Sequence, residues 1–419
     1  MRAITGIQLA ITVCFVAVAS GVWAEPAWQA SVSVSEEFND NTKEERHGEE
    51  DYVTALRPAL SYKNEGGRLE FDAAYRGDYR YYARQTRDEE FNHDLRAHAL
   101  LDAMDSFLFL EASDVYRLVN RDRTLGDASE DDGTTRLVQQ NMFTISPYIA
   151  PRFGERGSAR IGYALSNIWY DDEDMDSKDI HRGFVDGEYG LSSTAALLGG
   201  YSYTVEVSED ETVDRHIVYA GGRYAYSENG EVFAKIGPHF TRYRDEGSST
   251  SGLYWDAGLN HDFGVVALQI LTGVSFEDDP DTADTYERRF GTVRLTKAWT
   301  RTTASIWTTI EDYDENYDED YDERDQRDGD DGESVRRTVL GLNVVRELTS
   351  RLTGTVGLSR DFRDDSDDTR RWYANLLLAY AVTERMNIGC YYRFKDSSSD
   401  DPDEEFTVNR VGVQLTMIF

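Results

Sequence analysis

Cysteine is almost missing from this chain of 419 residues, which holds only Cys14 and Cys390. Cys14 falls in the N-terminal leader described below, so the mature chain keeps Cys390 alone and cannot close an internal disulfide. No Cys-x-x-Cys-His occurs, which excludes covalently attached haem. The seven prolines are few, and no Pro-rich linker divides the chain. Beyond the leader no apolar run reaches the length that a membrane-crossing helix needs. Excess positive charge is also lacking: the formal net charge is −35, and such a surface repels phosphate, so nucleic acid is excluded as a partner. Gly-x-Ser-x-Gly, His-Glu-x-x-His and a phosphate loop are all missing, and the histidines are scattered. The reading is therefore not an enzyme, with no catalytic, cofactor-binding or metal-binding residue assigned.

Aromatic residues, by contrast, make up 12% of the chain, including 26 Tyr, far more than a disordered acidic segment carries. Met1-Arg2, the apolar stretch 7–19 and the ending Val22-Trp23-Ala24 read as a signal peptide over 1–24, cut after Ala24. No cysteine follows closely enough for lipid attachment. Residues 25–419 then read as one domain. In Leu69, Phe71, Ala73, Tyr75, Gly77, Tyr79 and Tyr81 every second residue is apolar, small or aromatic, while Glu70, Asp72, Arg76, Asp78 and Arg80 stand between them. Period two over such a length makes a strand with two unlike faces. The same split recurs in Trp372, Ala374, Leu376, Leu378, Tyr380 and Val382, and again in Val411, Val413, Leu415, Met417 and Phe419.

Strand-like blocks of about ten residues follow one another, joined alternately by a short turn and a longer acidic segment. The fold class expected is all-β: an antiparallel, up-and-down transmembrane β-barrel of about 20 strands (about 18 to 22), with short periplasmic turns and long acidic extracellular loops. The lumen-facing candidates are Asp72, Arg76, Asp78, Arg80, Arg96, Arg160, Arg182, Asp186, Glu188, Arg223, Asp256, Arg288, Arg294, Arg337, Arg393 and Arg410. A soluble sandwich could not bury so many charges, whereas a hydrated lumen can. About twenty strands, about 4.8 Å apart and tilted by about 40°, enclose a ring about 40 Å across. Tyr79, Tyr81, Trp169, Trp255, Trp299 and Trp372 are expected at strand ends as interfacial girdles. Pro58, Pro147 and Pro238, each of which removes a ladder donor, are expected at bulges or at strand ends near the rim.

Most of the negative charge gathers in the long connections, with Asp312 to Glu323 the extreme case. Solvated, self-repelling loops explain this, and divalent cations bridging them to lipopolysaccharide or an acidic glycan are a second reading. No loop fits the EF-hand pattern. Val413, Leu415, Met417 and Phe419 form an alternating strand ending in an aromatic residue, the kind of C-terminal signal taken by the barrel-assembly machinery; Gln414 and Gly412 make the match partial.

The segment Ser31 to Asn41, with Leu56-Arg57-Pro58 and Tyr62 to Leu69, resembles an outer-membrane barrel family found beside PEP-CTERM and exosortase systems and exopolysaccharide loci. That resemblance implies a Gram-negative outer-membrane location and partnership with polysaccharide export components, and it supplies no catalytic residue. Four functions stand open: a pore assisting exopolysaccharide export or passing polar solutes, a general diffusion porin, a non-transport surface barrel with cation-binding or adhesive loops, and a barrel sheath around a cytochrome.

Overall fold

The computed structural model describes residues 27–126, 128–129, 132, 137–172, 175–209, 211–245, 247–278, 285–314, 334–364 and 368–419. The proposed leader and most of the Asp312 to Glu323 run lie outside these. Twenty long strands, from Ala27–Asn39 to Phe406–Ile418, form one antiparallel sheet in which each strand pairs with its chain neighbours; a two-residue piece, Arg152–Phe153, adds only to a turn. The first strand pairs with both the second and the last, from Ser31 opposite Ile418 to Asn39 opposite Arg410. The sheet is thereby closed into a barrel, and no edge is left at the join. Among the described residues the only helices are two short 3-10 turns, Arg123–Leu125 and Pro402–Glu404.

Alternation sets the two faces. Along the first strand Val34 is exposed on the outside, while Ser35, Glu37 and Asn39 are buried inside. The same parity places Leu56, Leu60, Ile236, Leu253, Ile306, Leu376, Val411 and Val413 on an exposed apolar outer surface, the arrangement that a lipid environment stabilises. Cys390 is on this face too, in the strand Met386–Ser398. Short turns gather at one end, together with the start of the first strand at Ala27 and the C-terminal Phe419; Gly67 and Gly264 take positive φ there, of 81° and 76°, which a Cβ would oppose.

Two expectations need correction. Pro58, Pro147 and Pro238 mark neither bulges nor the rim. Each lies inside a strand, and the ladder on one side skips the proline and resumes in the same register: Leu56 faces Tyr79 and Ala59 faces Arg76, Ile145 faces Leu165 and Tyr148 faces Gly162, Ile217 faces His239 and Ala220 faces Ile236. A missing donor costs the barrel one local bond without shifting the frame. The bulges occur instead beside short turns, at Asp102/Met104, Ala225/Ser227 and Ala381/Thr383. Trp255 is likewise no girdle residue: it sits midway along Ser249–Asp262 and donates its indole N–H to Thr272 Oγ1 at 3.0 Å. Tyr81, Trp299 and Trp372 are exposed and near strand ends.

Candidate functional site

The lumen has two unlike halves. Toward the short turns, its polar side chains remain in contact with solvent. Asp72, Arg76, Arg96, Arg160, Arg182, Asp186, Glu188, Arg223, Asp256, Arg294 and Arg393 lie on the inner parity, all exposed or partly so. Many are paired across strands: Arg223 with Glu188 at 2.6 Å, Lys235 with Asp256 at 2.8 Å, and the Tyr219 hydroxyl donating to Asp186 at 2.6 Å. Arg160 lies over the Tyr148 ring at 4.3 Å, Arg294 over Trp307 at 4.9 Å and Arg393 over Tyr391 at 4.7 Å. Cation–π stacking of this kind fixes guanidinium groups against the wall while leaving N–H edges to the solvent.

Toward the long connections the inner face is buried. Asp78 is held by Arg57 at 2.6 Å and Arg80 at 3.1 Å. Arg288 bonds Glu277 at 3.0 Å and also Glu311, and Arg337 bonds Glu311 at 3.2 Å and Asp361 at 2.7 Å. Arg410 meets Glu44 at 3.1 Å. The candidate residues Asp78, Arg80, Arg288, Arg337 and Arg410 belong to this buried half, so the inner face is not one uniformly wet surface.

Three chain segments close it. The long acidic connection from Asn120 to Thr135 is expected from the sequence to face the medium as a solvated loop, but its described residues between 121 and 132 cross the lumen. Asp122 pairs with Arg363 at 2.8 Å, Arg123 Nε donates to the Asp278 carbonyl at 3.1 Å, and Asp132 binds Lys395 at 2.7 Å. Gly126, with φ of 81°, lies so close to the Arg337 guanidinium that a side chain there would collide with it. The connection 40–50 also turns inward: Thr42 and Glu44 are buried, and Glu44 takes the other side of Lys395 at 2.8 Å. Acidic residues enter these positions because cations on the inner face of the wall neutralise them.

The third segment is part of the wall itself. Ser249–Asp262 pairs with Ala267–Asp278 only from Asp262 opposite Ala267 to Asp256 opposite Gly273. Above that level the ladder stops and the hairpin formed by Ala267–Asp278 and Thr285–Trp299 bends inward. Its outer-parity residues then press on the inner face of the strands from Gly157–Tyr170 to Gly230–Tyr243. Asp278 pairs with Lys178 and accepts from the Tyr170 hydroxyl. Thr285 Oγ1 donates to Glu206 at 2.8 Å, Glu287 stands 3.2 Å from His239 Nε2, and Arg215 lies over Phe276 at 3.8 Å. Asp278 and Thr285, expected to begin and end another solvated acidic loop, are instead buried contacts.

A cavity of about 280 Å³ lies beneath the crossing loop, lined by Ser129, Asp132, Trp307, Tyr373, Asn375 and Arg393. Trp307 lies across Gly341 and Asn375 across Gly357, both positions where a side chain would collide. The sequence reading missed Lys178, Arg215, His239, Asp361 and Lys395, although each shares parity with a neighbouring lumen residue such as Arg182, Arg223 or Arg393. Among the described residues no group of three or more His, Cys, Asp or Glu could hold a metal ion.

No family model matches the chain, and no curated protein matches it. Solved structures do resemble its shape. The siderophore receptor PirA of Pseudomonas aeruginosa aligns over 94% of this chain and 80% of its own, with a TM-score of 0.50 and 10% identity. The ferric enterobactin receptor PfeA of the same organism, in complex with enterobactin, aligns over 95% and 82%, with a TM-score of 0.53 and 8% identity. The FrpB iron transporter of Neisseria meningitidis aligns over 96% and 83%, with a TM-score of 0.52 and 10% identity. At such identities the likeness is one of fold.

Proposed function

We propose that this chain is a gated transport barrel of a Gram-negative outer membrane, carrying a polar, hydroxyl-rich solute through its charged lumen, and that it assists export of an exopolysaccharide. The short-turn end is then periplasmic and the long-connection end extracellular, the usual orientation of such barrels. The carrying observation is the asymmetry of the lumen: a half whose paired charges and aromatic rings remain solvent-exposed leads to an outer half closed by the chain's own segments. Hydroxyl groups exchange hydrogen bonds with carboxylates and guanidinium groups alike, and Trp307, Tyr373 and Asn375 line the cavity beneath the crossing loop. The open inner end favours a substrate arriving from the periplasm. The likeness in fold to siderophore receptors and an iron transporter supports a transport barrel, and the resemblance to barrels beside exopolysaccharide loci supports a glycan.

The closed outer mouth counts against a general diffusion porin, and the same filling leaves a cytochrome little room in that half. A surface barrel with cation-binding loops would rest on the acidic stretch 315–333, outside the described residues. Insertion by the barrel-assembly machinery, through Val413, Leu415, Met417 and Phe419, belongs to the same proposal; all four are on the outer parity of the last strand and Phe419 is exposed. Planar-bilayer recordings test the reading: low resting conductance with openings that an acidic or neutral glycan blocks is expected, whereas a barrel impermeable to ions and sugars in every state would refute it.

A further inference from the structure

The inward hairpin occupies a seat that it fits imperfectly. Arg215, His239 and Thr241 are almost wholly buried, at 4%, 1% and 2% exposure. Arg215 Nη1 bonds Glu206 at 2.5 Å, yet its Nε and Nη2, together with His239 Nδ1, Thr241 Oγ1 and Thr250 Oγ1, find no hydrogen-bond partner among the described residues. Buried donors left unmet each cost about 1–3 kcal/mol. What holds the hairpin is an ion pair and two further contacts: Asp278 pairs with Lys178, Glu287 stands beside His239, and Arg215 packs on Phe276. A second place for the hairpin also exists in the wall. If the register of Asp256 with Gly273 simply continued, Trp255 would face Val274, Tyr254 would face Ser275 and Leu253 would face Phe276. Among the described residues the strand segment Ser249–Trp255 therefore keeps an edge unpaired with the hairpin, flanked on the outer surface by exposed Leu253 and Phe240. Unpaired backbone is costly against lipid, so the wall position is favoured by backbone pairing and the seat by these side-chain contacts.

We infer that Lys178, Arg215 and His239 form a binding site for the carboxylates of an acidic solute, held at rest by the hairpin's own Asp278 and Glu287 as internal substitutes. An acidic glycan reaching the site from the open half of the lumen competes for these side chains. The displaced hairpin zips onto Ser249–Trp255, which completes the wall and widens the passage. The inference rests on the transport reading and adds the charge class of the substrate and the means of opening.

The test uses the full-length barrel with Cys390→Ser as background. Tyr254→Cys with Ser275→Cys reports the zipped state, since both positions share the inner face and would be directly opposed, within disulfide reach. Glu206→Cys with Thr285→Cys reports the seated state. Hexagalacturonate and maltohexaose are the probes. Expected results are slow cross-linking of the 254/275 pair at rest and a several-fold acceleration by hexagalacturonate but not by maltohexaose. Adding Arg215→Gln should raise the resting rate and abolish the acceleration. Oxidising the 206/285 pair should lower conductance until a reductant is added. Rapid cross-linking of the 254/275 pair without ligand, its failure under every condition, or equal acceleration by both sugars would overturn the inference. If the oxidised 254/275 barrel conducts while hexagalacturonate leaves its cross-linking rate unchanged, the acidic-solute site fails and the transport reading stands. If that barrel passes neither ions nor sugars, the transport reading itself fails.

Discussion

The two halves of the lumen are built from the same residue types on the same strands, yet they carry charge in opposite ways. In the half near the short turns, Arg223 and Glu188 form a pair whose side chains keep nearly half their exposure, and water screens them. In the half near the long connections, Lys395 sits between Glu44 and Asp132 with almost no solvent, and Arg337 sits between Glu311 and Asp361. There each charge depends on its partner, because an isolated buried ion is several kcal/mol worse off than in water. The first half can exchange its bonds with a passing solute. The second is a closure whose ion pairs must be broken or replaced together before anything passes.

That contrast is broken most severely at Lys395. Lys395→Met removes the cation that joins the connection 40–50 to the crossing loop, so that Asp132 and Glu44 both lose their bond to it while Glu44 keeps Arg410. The expected loss is about 3–5 kcal/mol in the stability of the closure. It should be seen as a higher resting conductance and faster proteolysis within 121–132 on intact cells. Unchanged conductance and unchanged cleavage would mean that the closure does not depend on this junction. A smaller effect is expected at Asp122 and Arg363, which tie the same loop to the opposite wall. A double-mutant cycle of Asp122→Asn and Arg363→Gln should give a coupling of about 0.5–3 kcal/mol by thermal unfolding in detergent. A coupling near zero would show that the pair is not maintained in solution.

Why one half could be read from the sequence and the other could not follows from the range of the interactions. Parity is a local property: Phe71, Ala73 and Tyr75 on one side and Asp72 and Arg76 on the other are enough to separate lipid face from lumen face, and the alternation of turn lengths gives the strand number. The closure is non-local. Nothing near Asp122 announces Arg363, 241 positions away, and nothing near Asp132 announces Lys395, 263 positions away. Both acids therefore read as part of a solvated run. The inward bend of the hairpin was hidden for a related reason: period two continues unbroken through Val274, Phe276 and Asp278, and only the lost pairing with Ser249–Trp255 shows that their outer face has become an inner contact. Glycine offered a weak clue. Gly341 and Gly357 read as ordinary small strand residues, whereas they make room for the Trp307 ring and the Asn375 amide beside the cavity. Gly341→Val should push Trp307 off the wall and cost about 1–3 kcal/mol through overpacking, measured by thermal unfolding; a melting point equal to that of the parent would count against the ring lying there.

The smallest change in stability is expected where the lumen is wet, and there selectivity should respond instead. Arg223→Gln removes one member of an exposed pair, so unfolding should shift by no more than about 1 kcal/mol. Glu188, however, then projects an uncompensated negative charge into the passage. Reversal potentials measured across a salt gradient should move toward cation preference, and the shift should shrink as ionic strength rises and the Debye length contracts from about 10 Å at 0.1 M to about 3 Å at 1 M. Lys395→Met should show the converse pattern, with a large change in stability and opening. A large destabilisation by Arg223→Gln, or a selectivity shift insensitive to salt, would mean that the inner half is packed like the outer one, and the division of the lumen into a hydrated passage and an ion-paired closure would fall.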